Sequence, residues 1–417
     1  MQEIKTLPNG VRLICEHVPG VRSAAVGVWV GAGSRCETAA EGGYAHFIEH
    51  MLFKGTDRHS ARSLAAAMDD IGGQIDAYTT RDTTCFYARV LDTHLDAAAE
   101  LLAEMFFRSR FDEADVASER SVIFEEIDMY ADTPEDLVAE RLFASSFPGA
   151  LGRPILGTKT TLSRAGGDAL RKFMKKHYVP SRVAVALCGS FTDEQAGRIL
   201  GLFEQLEPAA APKMRPAAYV PGFSLRRRAT EQNHLCLGFP GLPAGDGRRF
   251  ALTLMSTILG GGASSRLFQS VREKHGLCYS VGSFTSSHSD CGLVGIDTAV
   301  APESEMKALG LILEEVRRLR ECGVTEAERS RALEQLRSGL LLAEESTSSR
   351  MNRMGSSLVT LGSCLTAGEV IERCEAVTAG DIAALTGELL APEGLSLSAV
   401  GRVKSADEYR EVIAKNA

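Results

Sequence analysis

The sequence predicts an α+β protein made of two similar domains. Three observations lead there. At 417 residues the chain exceeds one comfortable core. The order of strand-like and helix-like patterns repeats from about residue 225 onward. A stretch carrying Pro208, Pro212, Pro216 and Pro221 separates the two copies. The expected division is 1–205, a linker at 206–224, and 225–417.

The elements follow in order. Val11 to Ile14 alternates, and Val26, Val28 and Val30 recur with period two, so two strands open the chain. A helix is expected from Ala45. A second covers Ser60 to Ile71, with Ser60 as cap and Leu64, Met68 and Ile71 at helical spacing. Residues 75–91 are dense in Thr, Tyr and Val and read as a strand or hairpin. Alanine- and leucine-rich 96–108 reads as helix, as do 112–126, 135–145 and 161–176; residues 181–191 return to strand. In the second copy, 234–241 is strand and 247–259 helix. A Gly260–Gly262 break follows, then a helix to about His275, strands within 278–300, helices at 303–320 and 324–345, and a strand at 394–403. Glu119-Arg120-Ser121 is echoed by Glu328-Arg329-Ser330, and Glu126 by Gln335.

Composition removes some functions. The net charge is -8, which argues against a general nucleic-acid or anionic-membrane surface. No run approaches the roughly 20 apolar residues of a membrane span. Met1 to Gly10 lacks an apolar signal core, so a cytoplasmic location is expected, with a mature organellar matrix chain as the alternative. Ten cysteines are scattered without CxxC spacing and read as small core residues. The Gly260–Gly262 run lacks the Lys-Ser/Thr ending of a phosphate loop.

The strongest chemical signal is His46-Phe47-Ile48-Glu49-His50. On a helix, His46 and His50 share a face and can reach one ion, with Glu49 beside it. The order is H-x-x-E-H, the inverse of the common zinc-protease motif. Such a set points to hydrolysis, with Glu49 as general base toward a zinc-activated water. A third ligand is needed. Glu119 and Glu126 lie seven apart on one helix face, and spacing does not choose between them. Arg272 and Tyr279 are candidates for binding a carbonyl or oxyanion.

The segment GGYAHFIEHMLFKGT at 42–56 resembles the active-site signature of the inverted-zincin metallopeptidases, the pitrilysin/insulinase (M16) family. Residues 72–91, 119–130, 152–158 and 260–281 resemble further family blocks in the same order, so the resemblance covers essentially the whole chain. The length matches the short branch that includes the mitochondrial processing peptidase beta subunit. The resemblance implies a LuxS/MPP-like fold, two homologous mixed domains forming a clamshell, the first catalytic and the second without metal. It implies one Zn2+ per chain, with His46, His50 and Glu126 as ligands and Glu49 as base. Glu119 would support the site, and Arg272 and Tyr279 would reach the substrate from the second domain. Asp76, Ala77, Tyr78 and Asp82 match the segment where the peptide adds as a strand. Asp76 stands where asparagine is usual and Asp82 where glutamate is usual. The carboxylate at 76 predicts a changed preference, toward basic residues.

The activity expected is zinc-dependent endopeptidase action on peptides or unfolded segments in an enclosed chamber. The alternative is a non-catalytic structural or regulatory subunit. Arg272 and Tyr279 on the same chain point to self-sufficiency and a homodimer, with a heterodimer as the other assembly. Neither nucleic acid nor membrane is expected as a partner.

Overall fold

The chain opens with β1 (Gln2–Thr6), which the sequence reading did not include, and the two alternating segments that follow become β2 (Arg12–His17) and β3 (Ser23–Val30). The computed structural model describes residues 2–416 and sorts the chain into two units. The first unit takes the chain up to Ile127, Arg153–Arg215 and Leu341–Thr366; the second takes Asp128–Gly152, Pro216–Leu340 and the chain from Ala367.

The first unit's helices begin with α1 (Tyr44–Met51) and α2 (Ala61–Asp70). Ser60 caps α2, its hydroxyl accepting the Ser63 N–H, as the sequence pattern predicts. The Thr/Tyr/Val-rich stretch is a hairpin of β4 (Gln74–Thr79) and β5 (Thr84–Leu91). Then come α3 (Leu95–Arg108) and α4 (Glu113–Asp132), and β6 (Val183–Gly189) completes the sheet. Its order is β1-β2-β6-β3-β5-β4. β2 and β6 run parallel, and the other neighbours are antiparallel.

Side chains on one face of this sheet join α1, α3 and α4 in a large core that includes Val26, Val28, Phe47, Ile48, Leu102 and Ile123. The other face carries Ala25, Trp29 and Cys85 against Met351, Met354 and Leu358 of the helix Thr347–Leu361. That helix escapes sequence reading because Ser, Arg and Asn crowd it; its apolar stripe is Met351, Met354 and Leu358, with Val359 partly buried beside them. The ten cysteines are all free.

The second unit has the sheet β7-β11-β8-β10-β9, formed by Phe223–Arg227, Ser396–Gly401, Asn233–Gly241, Gly292–Val300 and Cys278–Ser287. β7 and β11 are parallel, and the rest antiparallel. This repeats β2-β6-β3-β5-β4 strand for strand, so the repeated order in the sequence is a repeated topology. Helix α5 (Pro134–Ser146) packs on this second sheet through Val138, Leu142 and Phe143. The stretch read as a helix to about His275 is wound as a π-helix over Phe268–Lys274. The helices Ala367–Glu375, Ala379–Leu389 and Ala406–Asn416 are additions to the sequence reading.

Candidate metal centre

The site is built on α1. Gly43 opens that helix with φ 91, a left-handed value that favours glycine, and a Cβ there would lie 2.6 Å from the Leu156 carbonyl oxygen. Tyr44, Ala45, Phe47, Ile48 and Met51 are buried and anchor the helix. The buried Glu37 accepts the N–H groups of Gly43 and Ala45, at 2.9 and 2.8 Å, and so covers donors at the helix start. Burial pushes Glu37 up to about 8, while those two amides and Arg153 pull it down. No sequence pattern marked Glu37.

With α1 fixed, His46 and His50 point to one side. Their Nε2 atoms are 3.3 Å apart, and each lies 3.7 Å from Glu126 Oε2 on α4. Zinc bonds of about 2.0–2.1 Å require tetrahedral donors about 3.3–3.4 Å apart, so the three atoms are near the right spacing. Among the described residues this is the one group of three or more His, Cys, Asp or Glu donors close enough to share an ion. Burial, then His50, pushes the His46 pKa down to about 3, which keeps the imidazole neutral as a metal ligand requires. His46 Nδ1 is buried without a hydrogen-bond partner in the structure. Its Nε2 faces the other two donors. The donor set fits a zinc ion.

Glu119 acts on the opposite side of His50. Its Oε1 is 2.9 Å from His50 Nδ1, and its Oε2 pairs with Lys54. A carboxylate on the second ring nitrogen fixes the tautomer and leaves Nε2 as the free donor. Burial opposes charge on both groups, but the mutual bond prevails: Glu119 is lowered and His50 raised. Glu126 lacks such a partner, and burial raises it, with His50 pulling the other way. The alternatives that spacing left open thus separate: Glu126 faces the point the two histidines share, and Glu119 holds the His50 ring from behind.

Glu49 is beside this set, with Oε2 accepting from Thr79 Oγ1 of β4. Burial raises its pKa, against Thr79 and His50. Thr79 was not singled out from sequence, although strand alternation places it on the α1 side with Ile75 and Ala77. Tyr78 faces the other way, its hydroxyl receiving the Trp29 indole N–H at 3.3 Å. Asp76 is exposed and accepts the Ala77 N–H. Asp82 accepts from the buried Arg35 guanidinium at 2.9 Å, so its carboxylate is engaged in holding the chain.

Arg272 and Tyr279 belong to the second unit. The Arg272 guanidinium stacks over the Phe268 and Tyr279 rings, 4.5 and 5.0 Å from their centroids. Tyr279 is 80% exposed and so is not a core residue. At the positions echoing the acidic pair, Glu328 is bound to Arg266, and Gln335 puts an amide near Gly262.

Comparisons with known proteins agree with this geometry. The insulinase (peptidase family M16) model matches residues 12–159, and the peptidase M16 inactive-domain model matches 166–336. The chain is 41% identical to the uncharacterized zinc protease YmxG of Bacillus subtilis, over 92% of this chain and 94% of that protein. It is 40% identical to an uncharacterized zinc protease of Streptomyces coelicolor, over 97% and 90%. Among solved structures, a peptidase M16 inactive domain from Pseudomonas fluorescens superposes with a TM-score of 0.89 at 19% identity, covering 97% of this chain and 99% of that one. A protease from Helicobacter pylori gives 0.88 at 20% identity, covering 96% and 99%. Sequence similarity along nearly the full length, together with a histidine pair and glutamate that meet at one point, makes this chain a member of the M16 (insulinase) peptidase family.

Proposed function

We propose that this chain is a zinc-dependent endopeptidase acting on peptides or unfolded protein segments, akin to the short processing-peptidase branch. The observation that carries the reading is the convergence of His46 Nε2, His50 Nε2 and Glu126 Oε2 with Glu49 alongside. A zinc ion held by these three residues would polarise a scissile carbonyl and acidify water. Glu49 takes up the proton and delivers it to the leaving amine. Thr79 holds one Glu49 oxygen and leaves the other to carry that proton. A carboxyl raised by burial sits closer to the working range of a general base near neutral pH. Glu119 keeps His50 in the ligand tautomer.

The edge strand β4 supports peptide binding by strand addition, and its Thr79 side chain touches the base. Residues 1–205 would carry the metal and 225–417 would carry Arg272 and Tyr279, offered to a substrate carbonyl. Self-sufficient activity as a homodimer in a bacterial cytoplasm completes the reading. Among the described residues no helix is long and apolar enough to cross a membrane.

The test is metal analysis with peptide cleavage by wild type and Glu49→Gln (E49Q). Cleavage should require zinc, and E49Q should retain metal while losing about 10²–10⁴-fold in rate. Zinc-independent cleavage, or full activity in E49Q, would overturn the reading. Metal-loaded wild type that cleaves no peptide would favour a non-catalytic subunit.

A further inference from the structure

The free edge of β4 is partly closed by its own chain. Among the described residues β4 is the last strand of its sheet, paired only with β5. Thr80 N–H donates to the Thr83 carbonyl at 2.7 Å and closes the hairpin. Bonded pairs then alternate along an antiparallel ladder. Tyr78↔Cys85, Asp76↔Tyr87 and Gln74↔Arg89 are therefore the bonded pairs. The backbone groups of Ile75, Ala77 and Thr79 point to the open edge. The Ala77 N–H is not left for an incoming strand: it donates to Asp76 Oδ1 at 2.8 Å. Asp76 Oδ2 accepts from Tyr87 on the adjacent strand, at 3.4 Å. The aspartate is exposed, so it can swing away without disturbing the core.

We propose that Asp76 is a latch on the substrate-binding edge and a specificity-determining residue for basic peptides. This rests on the peptidase reading above. A peptide that pairs with β4 must place its own carbonyl at the Ala77 N–H and displace the carboxylate. For a neutral peptide the exchange trades one hydrogen bond for another and gains little. It also leaves a negative charge beside the bound strand. An Arg or Lys side chain near this register pairs with the released carboxylate and recovers the loss. The latch thus disfavours neutral strands and admits basic ones.

The experiment uses metal-loaded E49Q, which binds without turnover, and adds Asp76→Ala (D76A) or Asp76→Asn (D76N). The probes are dye-labelled, end-blocked decapeptides of one scaffold, with Arg or norleucine at each position in turn, read by fluorescence anisotropy. E49Q should prefer Arg at one or two positions by about two- to fivefold, the range of an exposed ion pair. D76A removes the competing acceptor, so norleucine peptides should tighten about two- to tenfold, one hydrogen bond's worth. D76N keeps an amide oxygen for the Ala77 N–H but loses the charge. It should abolish the Arg preference while leaving norleucine binding within twofold. An Arg preference unchanged in both variants overturns the proposal. So does norleucine binding that D76A fails to tighten, or the absence of any peptide binding. Cleavage by wild type is measured in parallel. If the binding pattern holds but metal-loaded wild type cleaves nothing, the peptidase reading fails and the latch stands. If cleavage is zinc-dependent but the pattern is absent, the latch alone fails.

Discussion

Gly355→Ala should destabilise the first unit although it replaces glycine by the best helix former. In an exposed helix interior that change gains up to ~1 kcal/mol. Gly355 is not in such a place. It lies in the helix Thr347–Leu361, where an added Cβ would sit 2.2 Å from two ring carbons of Trp29. The indole has no room to retreat. A Cβ at Gly27 would already meet the same ring at 2.5 Å, so the ring is wedged between two glycine backbones. It is fully buried among Met351, Met354 and Leu358. Overpacking of this kind costs about 1–3 kcal/mol, a 2.2 Å approach falls at the upper end, and after a propensity gain of ~1 kcal/mol the net loss should be ~2 kcal/mol. Gly197→Ala, in the helix Asp193–Gly201, is the matched control, because a Cβ there meets nothing within 4 Å. It should gain about 0.5–1 kcal/mol. Trp29 is the sole tryptophan, so urea unfolding followed by its fluorescence reports on this unit alone. Gly355→Ala as stable as wild type, with Gly197→Ala also stabilised, would refute the reasoning. The wedge also bears on the site, since the displaced indole donates to Tyr78 on β4.

Glu119→Gln should weaken zinc binding about 10–100-fold, measured by competition with a chromogenic chelator, because it removes the charge behind His50. Unchanged affinity would take Glu119 out of the site. His177 is buried against Phe173, accepts from Arg182 at 3.1 Å, and is pushed down to about 4 by burial, then by Lys176 and Arg182. Its folded pKa lies below the unfolded value of about 6.5, so the stability it contributes is present above that pH and is lost as pH falls toward 4. His177→Leu should flatten that slope, worth up to ~3 kcal/mol, and an unchanged pH profile would exclude His177 as its source. Asp82→Ala removes a carboxylate from the buried Arg35 and should cost about 3 kcal/mol in the same urea assay. A stable variant with altered peptide selectivity would instead return Asp82 to substrate binding.

The parts of this site that are local in the sequence were legible. His46, Glu49 and His50 fall within little more than one turn, and a single helix brings them together whatever surrounds it. The strands were legible for the same reason, since alternation of period two is written in neighbouring residues. What could not be read was any relation that crosses between elements. A 3.6-residue period tells which face of a helix is apolar but not which sheet receives it. That is why α5 packs with the second unit's strands, and the helix Thr347–Leu361 with the first unit's, without a trace in the linear pattern. The engagement of Asp82 by Arg35 is hidden in the same way, because the two are 47 positions apart.

Glu119 and Glu126 show where the line falls. Seven residues on a helix return to nearly the same face but advance about 10 Å along the axis. Both side chains nevertheless come to the same His50 ring, one at each of its nitrogens. Periodicity puts both on one helix face and is silent on which of them meets the Nε2 atoms, which depends on where α4 crosses α1. The crossing puts Glu126 at the Nε2 atoms and Glu119 at Nδ1 of His50. The two roles are separable by experiment for the same reason. Removing Glu126 deletes a donor atom from the set. Glu119→Gln leaves all three donors in place and weakens only what holds one of them.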